Sequence, residues 1–135
     1  MAELIEKWGQ TENRVHLAII FQEGDTLIGH ASAYWGWDPH CPGVELVISP
    51  AYQRQGLGAE TLSLLVQWLF DTMPAHNIGI EVADWNKHAQ KFLLKHDFQE
   101  SGRSRREGMR EGKFYDLLLF DILRREWLSR IRRDF

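Results

Sequence analysis

An α/β fold built on one sheet is predicted by three features of this chain. Apolar runs of strand length alternate with helical periodicities in the order β-β-β-α-β-α-β-β-α. A nearly continuous apolar run, Val44 to Ile48, passes through a Gly-containing turn straight into a helical pattern. Across 135 residues, 44% are hydrophobic and 12% aromatic, enough for one domain with a core and against a disordered chain.

Taken in order, residues 1–14 place Leu4, Ile5 and Trp8 at helical spacing and read as a short amphipathic helix end. Val15 to Phe21 is a strand, QEGD a turn, and Thr26 to Tyr34 a second strand, giving a hairpin. WGWDPHCPG, with two prolines and two glycines, is a loop. Val44 to Ile48 then reads as a central strand covered on both faces, interrupted by Glu45 alone. Leu62, Leu65, Val66 and Leu69 share one face of a helix that runs to Thr72 and stops before Pro74. Ile78 to Ala83 is strand-like. Asp84 or Asn86 can cap a second helix on which Ala89, Phe92, Leu93 and His96 share a face. Phe98 to Arg106 and Phe114 to Phe120 pair around a Gly-containing turn, and a basic amphipathic tail ends the chain.

The balance of charge and cysteine narrows the function classes. A net charge of −3 gives no global electrostatic case for nucleic acid. Arginines 103, 105, 106 and 110 alternate with acidic residues and read as a solvated hairpin, and those of the tail as a surface helix face. One cysteine, Cys41, excludes an internal disulfide and fits a reducing compartment. No apolar stretch approaches the roughly 20 residues of a membrane helix. The charged N-terminus has no signal-peptide core, so a cytoplasmic location is expected. His76, His88, His96 and the His40–Cys41 pair lack metal-ligand spacing, and no metal is expected.

The turn SPAYQRQGLGAETL carries the chemistry. The first-turn N–H groups of a helix have no intrahelical partner, and its dipole favours negative charge there. Gly56 and Gly58 let phosphate oxygens approach the backbone, while Gln53, Arg54 and Gln55 add donors at the mouth. A nucleoside-triphosphate loop would need Lys after Gly58, and the dinucleotide fingerprint fails at Thr61. A tight connection with glycines for steric reasons alone is the other reading of the loop.

Gln53-x-x-Gly56-x-Gly58 after VELVI and Ser49-Pro50 resembles the pyrophosphate loop of the GNAT N-acetyltransferase superfamily. The resemblance extends through GLGAETL, through NKHAQKFLLKHDF and through the final hairpin ending in LRREW, and so covers residues 15–127. That ending is typical of the branch acetylating ribosomal-protein N-termini and its small-molecule relatives. The resemblance implies a single GNAT-like domain over residues 1–135, lacking the opening strand and roof helices of the family, with residues 1–14 as a remnant of the second helix. It implies acetyl-CoA as cosubstrate and a primary amine, small molecule or peptide N-terminus, as acceptor. Leu46, Val47 and Ile48 would pair with the pantetheine arm through their backbone; Gln53, Arg54, Gln55, Gly56, Leu57, Gly58 and Ala59 would hold the diphosphate; Asn86 would reach the pantetheine region or simply cap its helix.

Glu45 is the candidate general base, because desolvation in a near-buried strand pushes a carboxyl toward neutrality. The competing reading is a carboxylate paired structurally with an arginine. Trp35, Trp37 and Asp38 either form an aromatic and acidic wall for a cationic acceptor or cover exposed core. Many relatives place a Tyr acid on the second helix; Leu93 stands there, and Asp97 replaces the usual Gly before Phe98. A non-catalytic acyl-CoA-binding or protein-interaction module is the alternative function. An unpaired edge on Val15 to Phe21 predicts a homodimer.

Overall fold

The computed structural model describes residues 2–4 and 13–133. The chain forms two compact units, residues 1–75 and 76–135. In the first, β1 (Ala2–Leu4), β2 (Arg14–Phe21), β3 (Thr26–Tyr34) and β4 (Gly43–Ile48) form an antiparallel array in chain order. Gly24 and Asp25, both left-handed at φ 81° and 49°, make the turn between β2 and β3. Helix α1 (Leu57–Thr72) follows a single 3₁₀ turn at Pro50–Tyr52.

The buried stripe of α1 is the one its spacing predicts: Leu62, Leu65, Val66 and Leu69, with Phe70. Together with Ile19, Ala31, Ala33 and Val44 it makes the core of this unit. The helix stops where Met73 turns extended (φ −119°, ψ 154°), because the ring of Pro74 disfavours helical backbone at the residue before it.

Two expectations are corrected in this unit. Ala2–Leu4 is a strand rather than a helix end, with Leu4 opposite Leu17 and Ala2 opposite Ile19, so part of the β2 edge is paired. The helical spacing of Ile5 and Trp8 lies outside the described residues. The double cover expected for Val44 to Ile48 also fails, since Val47 is 51% exposed. Val44 and Ile48 face the core, and Glu45 and Val47 alternate to the other side.

In the second unit, β5 (Asn77–Ala83), β7 (Lys113–Leu123) and β6 (Gln99–Arg110) pair antiparallel in that order. The β6–β7 hairpin is longer than predicted. Its turn is only Glu111-Gly112, both left-handed at φ 53° and 77°, and two register shifts hide the period of β6. Leu118, Phe120 and Ile122 of β7 are buried, as are Ile78, Val82, Leu93 and Phe98. Helix α2 (Lys87–Lys95) is capped by Asn86, whose Oδ1 accepts from the Ala89 N–H at 3.1 Å. Helix α3 (Arg124–Arg133) opens with Glu126 accepting from the Leu123 N–H at 2.9 Å. No described helix is long and apolar enough to cross a membrane.

Candidate functional site

The loop into α1 is built by backbone conformation. Gly56 is the N-cap residue at φ 80°, and no side chain caps the helix, so the first-turn N–H groups have no side-chain acceptor. Arg54 is also left-handed at φ 63°. A Cβ placed on Gly56 would meet nothing within 4 Å, so open space lies over this turn. Gln53 and Gln55, both exposed, brace the loop: Gln53 Nε2 donates to the Ile48 carbonyl at 2.7 Å and Gln55 Nε2 to the Ala51 carbonyl at 3.2 Å. Arg54 between them is exposed as well. Leu57, Gly58 and Ala59, half-buried, form the first turn itself.

Glu45 stands on β4 opposite Ser32 of β3, which in turn stands opposite His16 of β2. The near-buried setting expected for Glu45 is absent: its side chain is 51% exposed. One of its oxygens, Oε2, accepts from Ser32 Oγ at 3.2 Å and lies 3.6 Å from Arg14 Nη1. The arginine partner weighed against a catalytic role is therefore present. Leu46 and Ile48 point to the other face, toward the core side.

An apolar hollow of about 320 Å³ lies between α1 and the strands, lined by Leu17, Ile19, Ala31, Leu65 and Trp68. These strand residues face away from Ser32 and Glu45 by the pleat. The hollow is not part of the Glu45 site.

In the loop before β4, Trp37 is 95% exposed and covers no core. Trp35 is half-buried, its N–H bonded to the Asn13 carbonyl at 3.0 Å. Asp38 is engaged within its own loop, accepting from the His40 N–H at 2.9 Å and lying 2.8 Å from His40 Nδ1. Burial and the Asp38 charge push the Cys41 thiol up from its ordinary value, which keeps it protonated and poorly nucleophilic at neutral pH.

In the second unit, Asn86 is occupied as the α2 cap. Leu93, where a hydroxyl acid would stand, is 1% exposed and carries no proton to give. The hairpin arginines are engaged locally. Arg103 Nη1 donates to Asp116 at 2.7 Å, Arg106 lies over Phe114 and Arg110 over Trp85. The Arg106 N–H and the Arg103 guanidinium hold the Asp116 carboxyl below its usual range. Among the described residues, no group of three or more His, Cys, Asp and Glu could hold a metal ion. The feature that residue spacing missed is the row Arg14, Tyr34 and Ser32 around Glu45, which exists only through strand register.

Comparison with known proteins bears on this arrangement. The sequence model described as "Acetyltransferase (GNAT) family" matches residues 1–98. The chain is 30% identical over 77 residues to a Bacillus subtilis protein named "Uncharacterized N-acetyltransferase YoaA", a match covering 57% of this chain and 44% of that protein's length. Its fold is shared with the spermidine N-acetyltransferase from Vibrio cholerae solved with CoA and spermine, at a TM-score of 0.82, 19% identity, 91% of this chain and 73% of that one. A protein solved as "Probable acetyltransferase" superimposes with a TM-score of 0.79 at 18% identity, covering 90% of this chain and 68% of that one.

Proposed function

This chain belongs to the acetyltransferase (GNAT) family, and from that premise we propose that it transfers an acetyl group from acetyl-CoA to a primary amine. The observation that carries the reading is the uncapped N-terminus of α1 entered through left-handed Gly56, with open space above it. The diphosphate would lie on the N–H groups of residues 57–59 with Arg54 beside it. The backbone of Leu46 to Ile48 would pair with the pantetheine arm, and Asn86 would add a contact beyond its cap. Bound acetyl-CoA supplies a thioester carbonyl that an amine lone pair can attack, with the C–S bond breaking as the amide forms.

An ammonium ion has no lone pair, so a base must take its proton first. Glu45 is that base: an accessible carboxylate oriented by Ser32, able to act directly or through a water. Trp35 and Trp37 would flank the acceptor. The solved neighbours favour a polyamine or other small amine; placement in the branch acting on ribosomal-protein N-termini draws no support from them. The reading includes a cytoplasmic location and a homodimer. Among the described residues, β1 pairs with three residues of the eight-residue β2.

One observation favours a non-catalytic acyl-CoA-binding module: Glu45 is already shared between Ser32 and Arg14. A single pair of measurements separates the readings. Acetyl-CoA should raise Tm by ligand linkage under either. Thiol release with a panel of primary amines occurs only for the enzyme. No Tm change at millimolar acetyl-CoA would overturn both.

A further inference from the structure

Arg14 occupies a place built for a cation. Strand register sets Arg14 opposite Tyr34 and Tyr34 opposite Gly43, one row from Ser32 and Glu45 on the same sheet face. Gly43 makes the arrangement possible, because a Cβ there would fall 2.5 to 2.8 Å from the edge of the Tyr34 ring. The ring lies against bare backbone, and Arg14 Cζ sits 4.8 Å from its centroid. The guanidinium thus meets an aromatic face and a carboxylate at once, the combination that binds cationic amines.

Arg14 is held loosely. Its Nη1 is 3.6 Å from Glu45 Oε2, beyond hydrogen-bond length, and the two side chains are 34% and 51% exposed. A solvated ion pair of this kind contributes little and exchanges readily. Ser32, by contrast, is 1% exposed and fixes Glu45 from beneath. We propose that Tyr34 and Glu45 form a subsite for the ammonium group of the acceptor, with Ser32 positioning the carboxylate and Arg14 as a resident stand-in that the acceptor displaces. A primary ammonium is smaller than a guanidinium and presents three N–H groups, so it can approach Glu45 within hydrogen-bond distance where Arg14 does not. The proposal deepens the acetyltransferase reading and rests on it for the identity of the ligand.

The test is an NMR titration of the full chain with propylammonium chloride, against potassium chloride at equal ionic strength. Arg14→Ala should bind propylammonium about two- to fivefold tighter than the parent, the advantage of removing one weak competitor. Adding Glu45→Gln or Tyr34→Leu to Arg14→Ala should abolish that gain. In turnover assays, Ser32→Ala should raise KM for the amine and leave KM for acetyl-CoA unchanged. Equal or weaker binding by Arg14→Ala, a gain that survives Glu45→Gln, or no saturable response in any variant overturns the subsite. If acetyl-CoA supports turnover while propylammonium affinity ignores Arg14, the subsite falls alone. If propylammonium binds as described and acetyl-CoA does not, the acetyltransferase reading falls and the cation site stands.

Discussion

Glu45→Gln keeps the shape of the side chain and its bond from Ser32 but cannot take a proton. As the base, it should cost about a hundredfold in kcat, with KM for acetyl-CoA unchanged, by thiol release. An unaltered kcat removes Glu45 from the chemistry. Gly56→Val tests the other half of the site. A β-branched residue at φ 80° is strained by about 1–3 kcal/mol, and its methyls would fill the space over the α1 turn. Acetyl-CoA should then give no Tm rise, while the fold persists by circular dichroism. Asp97 offers a third case, left-handed at φ 68° without being a glycine. Asp97→Gly relieves that conformation and loses the 3.5 Å pair with Arg130 Nε; Asp97→Ala loses the pair and keeps the strain. In urea, the Ala variant should be less stable than the Gly variant by about 1 kcal/mol. Equal stabilities would show that the turn carries no strain.

Helices α2 and α3 are joined through His96 and Arg130: Arg130 Nη1 donates to the His96 carbonyl at 3.2 Å and Nη2 lies 3.3 Å from His96 Nδ1. Burial, then the charges of Arg130 and Lys95, lower the His96 pKa, with Asp97 opposing. A lowered folded pKa means that the unfolded chain binds the proton more readily. The contribution is complete above about pH 6.5 and is lost as pH falls through the depressed value. His96→Gln should flatten the pH dependence of the urea midpoint between about pH 7 and pH 5 relative to the parent; unchanged slopes would exclude His96 as its source. Element boundaries were legible where period and punctuation agree. Thr26–Tyr34 alternates between turn and loop, and Leu57–Thr72 lies between Gly56 and Pro74. Three-residue β1 is too short for any period to show and is defined by its partner β2. The pairing of Glu45 with Arg14 was equally out of reach. Both residues were visible, but only the β2–β3–β4 register brings them together. The glycine turn into α1 could be read because its glycines, its brace residues and its helix are contiguous in sequence.

At the scale of the whole chain, residues 1–75 carry the loop and Glu45, and residues 76–135 carry Asn86. Self-association is tested by light scattering at tens of micromolar, where a dimer has about twice the 15.8 kDa chain mass. A strictly monomeric species rejects it. The turn at Glu111-Gly112 has a consequence in time as well as in shape. Pairing outward from Arg110 and Lys113 closes the shortest loop the unit contains, and hairpins of this kind form in about 1–10 µs. Strand β5 must instead find β7 across the whole of α2 and β6, with Asn77 meeting Leu123. The hairpin is therefore the fastest pairing open to residues 76–135, and on the ribosome β5 is made well before β7, its antiparallel partner in this unit.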